Sequence, residues 1–486
     1  MDFRFDYDAV VVGAGPNGLT AAATLARAGL GVLVVEAAAT PGGGTRTEAL
    51  TLPGFAHDVC SAVHPLGCAS PVFRALDLEG HGLVWIHPPA PLVHVLDEER
   101  AVTLHRSVAE TARELGRDGS AYARLLGPFS ERFAALAEMV LGPLRFPAEP
   151  ALMARFGVQA LRSAAGLVEA RFAEPAAGAL LAGLAAHAML PLDAPGSAAI
   201  GLILAAAGHA VGWPVARGGS RAIAAALVEC LRRDGGQVLC DTRVQSLEAL
   251  PRARAYVLDL TPRQVVEIAG AALPSSYRER LRRFRYGPGV FKMDWALRGP
   301  IPWRDPRCAQ AATVHLAGSL REVAAAEAAV HAGRVAERPF VLLAQPSLFD
   351  GQRAPDGTHT AWAYCHVPSG SSADVSALIE AEIERFAPGF QDRVLGRACR
   401  SAADMERYNA NYVGGDINGG LADLRQLLFR PTPRLDPYAT PAPDLFLCSA
   451  STPPGGGVHG MCGYWAARSV LRRVFGRAAA PTFTKS

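Results

Sequence analysis

YDAVVVGAGPNGLTAAATLARAGLGVLVVE occupies residues 7–36 and reads as one continuous piece of architecture. A valine-rich run at residues 7–12 leads into Gly13, Gly15 and Gly18, a segment of helical composition follows at residues 17–29, and a second apolar run at residues 31–36 ends in Glu36. Short apolar runs rich in β-branched residues mark buried strands, and a helix pattern closed by glycine marks the element between them. The stretch is therefore a strand-helix-strand unit with G-x-G-x-x-G at its first joint. In that motif Gly13 permits the tight turn, Gly15 lets a pyrophosphate approach the backbone, and Gly18 lets helix and strand pack closely. The helix N-terminus then faces the phosphates. Glu36, 18 residues after Gly18, is placed to accept hydrogen bonds from an adenosine ribose, and its charge repels a 2′-phosphate, which disfavours NADP.

The rest of the composition bounds the answer. The chain has 486 residues, 50% hydrophobic and 19% charged, enough for two or three folded domains and unlike a disordered protein. Lysine plus arginine count 48 against 45 acids, a net charge of +3 without any basic run, so nothing argues for nucleic acid. The basic residues are arginine except for Lys292 and Lys485. Nine cysteines without a C-x-x-C pair exclude a disulfide framework or zinc ribbon, and no metal centre is expected. The first eight residues hold three acids and one arginine, unlike the basic start of a secretory signal, so a cytoplasmic location is expected. Residues 175–216 carry one formal charge, Asp193, yet His187, Pro191, Pro195 and His209 cut them into pieces too short to cross a bilayer.

Further along, residues 91–104 alternate around Asp97-Glu98-Glu99-Arg100 and predict a hairpin. Ser107 with Glu110 then forms the capping-box pattern of a helix start. About a hundred helical residues follow, to Gly212. From Ser220 the pattern returns to helix and strand: a helix at 221–233, then strands at 237–240, 255–260, 286–297, 313–316, 340–345, 360–367 and 445–449, and a last helix to Arg473. The expected fold is α/β: a discontinuous Rossmann-type domain from residues 1–105, 213–265 and 432–486, and a mixed-sheet and helical substrate domain from residues 106–212 and 266–431.

The residues after Glu36 separate FAD from NAD. With Pro41-Gly42-Gly43-Gly44-Thr45-Arg46-Thr47 and then Phe55, His57 and Asp58, the chain resembles the phytoene desaturase and carotenoid oxidoreductase branch of the amine-oxidase-like FAD flavoproteins. The resemblance implies that Gly43, Gly44, Thr45 and Arg46 wrap the pyrophosphate and ribityl chain beside Gly13, Gly15, Pro16, Asn17, Gly18 and Glu36. It implies that Gly218-Gly219-Ser220 and residues 237–244 form a second FAD segment, with Val244 supporting the adenine. It also implies that Ser449 and the turn at residues 453–460, with Gly456, Gly457, Val458 and His459, meet the flavin ring, where backbone N–H groups stabilise a reduced, anionic flavin.

Three features depart from the family pattern. Gly44 stands where many relatives have arginine, with Arg46 available to replace it; residues 244–255 are shorter than the usual β-meander; and Ser449 replaces an aspartate. His64 and His459 are the candidate proton-moving groups, each weighed against a packing role. Tyr464 and Trp465 read as core, and Asp294, alternating with apolar neighbours, reads as solvated rather than facing a substrate channel. The resemblance implies an FAD-dependent dehydrogenase or desaturase that takes hydride from a lipophilic, isoprenoid or polyene substrate to flavin N5. A redox-neutral isomerase, an amine-oxidase-type C–N oxidation and a non-catalytic flavin-binding protein are the alternatives. Reoxidation by O2, a quinone or another carrier is expected rather than by a nicotinamide, since only one nucleotide-binding unit is present. The glycines of residues 414–420 read as a loop over the active site, and peripheral membrane contact is compatible with the apolar substrate.

Overall fold

The computed structural model describes residues 5–477; the first four residues and Lys485 lie outside that range. Strand Tyr7–Val12, helix Pro16–Arg27 and strand Val32–Val35 form where the sequence pattern placed them. They belong to a five-stranded parallel sheet in the order Leu445–Leu447, Ala253–Leu258, Tyr7–Val12, Val32–Val35, Gln237–Leu239. Parallel strands are buried on both faces, and here the inner strands are valine-rich throughout. On one face, helix Pro16–Arg27 packs against Arg221–Arg233 and Met461–Arg473. A Cβ at Gly463 would overlap the Asn17 carbonyl, which explains how closely the last helix can approach the first. On the other face, Val265, Ala269, Leu273, Tyr277 and Leu281 pack under Val12, Leu258, Leu445 and Leu447, so four residues assigned by sequence to the second unit, Ala269 to Leu281, join Val265 in covering the first sheet.

The second sheet has seven strands, in the order Val394–Arg400, Gly289–Leu297, His359–Val367, Val341–Ala344, Ala311–Leu316, Ala90–Val95, Ala101–Leu104. The hairpin expected at residues 91–104 forms, but in this sheet rather than with the nucleotide-binding strands. Ala90–Val95 is buried along its whole length and pairs in parallel with Ala311–Leu316. Val394–Arg400 was not anticipated: it alternates half-buried and exposed residues at the sheet edge, and its two arginines obscure the pattern.

Alternation sorts the second sheet into two faces. Val93, Val314, Phe291, Met293, Trp295 and Cys365 point to helix Ser376–Phe386, which supplies Ile379 and Ile383. The opposite positions carry His94, His315, Lys292, Asp294, Tyr364 and His366, and this polar row is buried between the two units except for Tyr364, which is half-buried. Asp294 is therefore not solvated as expected. It is 2% exposed, ion-paired with Lys292 and 3.6 Å from His57 Nδ1, because the polar face of this strand meets protein, not water. The charge-poor stretch forms helices Pro175–Ala186 and Ala198–Ala210, which pack on one another and over strand Ala90–Val95. Among the described residues no helix is long and apolar enough to cross a membrane.

Candidate active site

The two units enclose one cavity of about 590 Å³. It begins at Glu36 and residues 242–244, runs past Gly13, Gly15, Gly43 and Gly44, and reaches Ser449 and residues 456–458. Beyond that turn it opens into a chamber walled by Ile200, Leu204, Trp213, Leu342, Trp362 and Tyr364. Three glycine-rich segments far apart in the chain thus line a single channel, whereas Gly218, Gly219 and Ser220, expected to form part of a second FAD segment, do not line it; Ser220 instead bonds to Asp58 and His64. Gly18, Thr45 and His459, expected to contact the cofactor, do not line it. Gly18 acts by packing: a Cβ there would overlap the Gly13 carbonyl oxygen. Thr45 holds the second loop's own turn, its hydroxyl donating to the Gly42 carbonyl at 2.8 Å.

The cradle is built by close backbone approach. Gly13 has φ +100° and Gly43 φ +52°, and a Cβ on Gly43 would stand 3.1 Å from the Cα of Gly15, so the two glycine loops meet with no room for side chains. Glu36 braces this geometry: its carboxylate accepts from the Ala14 N–H at 2.7 Å and from Arg46 Nη2 at 3.0 Å. Arg46 also reaches the Tyr408 hydroxyl at 3.3 Å, and its Nε donates to the Thr40 carbonyl at 2.9 Å. The space that an arginine at position 44 would need is taken, since a Cβ at Gly44 would overlap the Tyr412 hydroxyl. Asn17 Oδ1 is buried without a hydrogen-bond partner in a side chain that lines the channel. Two side-chain-free loops and a helix N-terminus fit a dinucleotide pyrophosphate.

Asp259 was not singled out from sequence, and it sits at the centre of this cradle. Its Oδ2 accepts from the Gly18 N–H at 2.9 Å, and a Cβ at Gly15 would lie 2.7 Å from the same oxygen. Burial raises its pKa to about 7; the Gly18 N–H opposes that rise and the Glu36 charge adds to it. Asp259 ends a strand in the middle of the chain, and only the sheet order brings it beside the first loop, so no local motif marks it.

Of the two histidines proposed from sequence, His64 reaches the cavity. Its Nε2 is 2.7 Å from Ser220 Oγ and its Nδ1 is 3.3 Å from Ser61 Oγ, so it ties the loop after the second glycine cluster to the start of helix Arg221–Arg233. Burial lowers its pKa to about 4, with the Arg353 charge in the same direction and Asp58 opposing. His459 is 1% exposed and spends its ring nitrogen on the Met461 N–H at 3.1 Å, while its carbonyl accepts from Ser70 Oγ at 2.6 Å. Burial takes it to about 4 as well. Tyr464 is buried, and Trp465 donates to the Leu141 carbonyl at 3.0 Å, as core residues do. Asn418, Gly419 and Gly420 of the glycine-rich loop line the cavity.

A family model described as NAD(P)-binding Rossmann-like domain matches residues 11–77. The amino-terminal unit is a Rossmann-like nucleotide-binding domain. Over 96% of its length the chain is 27% identical to pyridine nucleotide-disulfide oxidoreductase domain-containing protein 2 of Rattus norvegicus, covering 94% of that protein. Over 110 aligned residues, 23% of this chain and 20% of the other, it is 37% identical to one subunit of the limonene dehydrogenase of Castellaniella defragrans. Among solved structures, a triple mutant of a putrescine oxidase matches with TM-score 0.63 at 17% identity, over 96% of this chain and 99% of that one. At that identity the match speaks for fold alone, a fold shared also with a cyclohexylamine oxidase of Brevibacterium oxydans at 15% identity and TM-score 0.56, over 97% of this chain and 100% of that one.

Proposed function

We propose that this Rossmann-like protein is an FAD-dependent dehydrogenase of the phytoene desaturase type, acting on a lipophilic substrate of isoprenoid or polyene character. The observation that carries the reading is the continuity of the cavity, from a dinucleotide cradle with a ribose-binding acid into an apolar chamber. When bound, the flavin would accept hydride at N5 from a substrate carbon. Glu36 and Val244 would hold the adenosine, Gly13, Gly15 and Gly43 the pyrophosphate, and Gly456 to Val458 the ring. Among the described residues lining the cavity the only carboxylates are Glu36 and Asp259, both in the cradle, so the chamber offers no anion to an ammonium substrate. That favours C–C over C–N oxidation. The likeness to part of a limonene dehydrogenase supports the same substrate class.

Catalysis on this reading rests on orientation and water exclusion, since the cofactor carries the redox chemistry. Reoxidation would fall to O2, a quinone or another carrier. The purified protein should be yellow with one non-covalent FAD. Colourless protein that cannot be reconstituted with FAD would overturn the assignment, and flavin bleaching by NADH within about a second would overturn the choice of electron acceptor.

A further inference from the structure

Three histidine rings stand in line from the chamber into the second sheet. His187 follows helix Pro175–Ala186 and lines the cavity; His315 and His94 come from adjacent strands of the polar row and are fully buried. His187 Nε2 is 3.1 Å from His315 Nε2, and the ring centres of His315 and His94 are 5.8 Å apart. His94 Nε2 is 2.8 Å from the carbonyl oxygen of Gly318. The Nδ1 atoms of His94 and His315 are both buried without partners and converge on Gly183, lying 2.5 and 2.7 Å from where its Cβ would stand. Glycine at that helix position is what leaves room for both nitrogens beside it. Among the described residues no group of three or more His, Cys, Asp or Glu could hold a metal, so this row is not a metal centre.

The arrangement fixes the protons. A carbonyl oxygen only accepts, so His94 carries its hydrogen on Nε2 and its Nδ1 is a bare lone pair. Two bare lone pairs converging on the same buried spot beside Gly183 would repel, so His315 carries its hydrogen on Nδ1. Its Nε2 is then the acceptor, and His187 must donate from Nε2. What remains is the lone pair of His187 Nδ1, on a side chain open to the chamber. The Asn418 side-chain amide approaches the His187 carbonyl at 3.5 Å, and the Asn418 carbonyl would lie 2.9 Å from a Cβ at Gly456. One residue thus links His187 to the turn assigned to the flavin ring.

Building on the dehydrogenase reading, we propose that His187 Nδ1 is the proton acceptor of the reaction, with His315 and His94 as positioning residues that hold it in that tautomer. The hydride leaves one carbon with its electron pair for the cofactor. The C–H electron pair of the neighbouring carbon becomes the second bond of the new double bond, and the proton from that carbon passes to His187 Nδ1. The substrate loses one hydride and one proton, and no other oxidant is needed. Burial lowers His187 to about 3, with the His366 charge acting in the same direction, and puts His315 well below the ordinary value, so all three rings are neutral at working pH. A weak base suffices because a carbon next to one losing hydride is strongly acidic. His366 Nδ1 lies 2.7 Å from Glu327 Oε1, and the Glu322 charge opposes the effect of burial on His94.

The test uses the protein as purified, labelled with ring nitrogen-15 histidine, with signals assigned through His187→Gln, His315→Phe and His94→Gln. Near neutral pH His315 should carry its hydrogen on Nδ1 and His187 on Nε2, and diethyl pyrocarbonate should acylate His187 but neither His315 nor His94. In His315→Phe, or in the milder His94→Gln, the His187 signal should become a mixture of tautomers, which loss of packing alone would not produce. A hydrogen on His187 Nδ1, acylation of His315 or His94 in place of His187, or an unchanged His187 signal in both variants would overturn the proposal. The cofactor reading fails separately, by the absence of bound flavin, with the histidine signals unchanged.

Discussion

Arg353 and Asp58 form an ion pair at 2.8 Å in which neither side chain is exposed at all. Arg353 also binds Asp350 at 2.9 Å, while the other Asp58 oxygen accepts from Thr47 Oγ1 at 2.7 Å and from the Ser220 N–H at 2.8 Å. The pair joins the loop after the second glycine cluster, the start of helix Arg221–Arg233 and the second sheet. Removing one partner of a buried pair strands the other charge, so Arg353→Leu should destabilise the protein by about 3–5 kcal/mol, as read from its urea midpoint. A loss under about 1 kcal/mol would mean that water reaches the pair.

Asp259 gives a pH signature. Its folded pKa of about 7 lies above the unfolded value of roughly 4, so folding favours the protonated form. That stability is fully present below the unfolded value and is lost as pH rises through about 7, in total on the order of 4 kcal/mol. Asp259→Asn keeps an acceptor for the Gly18 N–H without the charge. Its melting temperature should exceed that of the wild type at pH about 8, with the gap closing toward pH about 4. A gap independent of pH would contradict the assignment.

Gly15→Val would set a branched side chain against the Asp259 carboxylate and the phosphate path, and it should abolish FAD uptake in equilibrium dialysis. Glu36→Ala removes an acceptor for the ribose and the brace on the Ala14 N–H, and it should weaken uptake by about 1.5–3 kcal/mol. Equal affinity in both variants would exclude the cradle as the cofactor site.

Gly44→Arg should fail to restore the family's usual arginine, because Tyr412 fills that space. Paired with Tyr412→Gly, the arginine should be accepted and the FAD content recovered. If the single variant binds FAD as well as the wild type does, the steric account is wrong.

The nucleotide-binding unit was readable because its evidence is local: glycines at a strand-helix joint and an acid at the end of the next strand fall within residues 13–36. The glycines of residues 42–44 and 455–457 were readable only through resemblance, and Gly43, Gly44, Gly456 and Gly457 line the same channel, while Gly218 and Gly219 do not. Asp259, Tyr412 and His187 escaped notice because each acquires its role from partners remote in sequence, such as His315 for His187. Asp294 was misread for a related reason. Alternation along a strand shows that one face is polar, and the second unit's position decides whether that face meets water or another layer of protein.

The walls of the channel also set an order of events in biosynthesis. Glu36 and the first glycines are made first, Val244 and Asp259 some two hundred residues later, and Ser449 and residues 456–458 some two hundred residues after those. The strand Leu445–Leu447 that carries this last wall closes an edge of the parallel sheet. A ribosome-bound chain therefore holds an incomplete receptacle until residues 445–458 have emerged, and on the proposed FAD reading the channel can close around its cofactor only after that point.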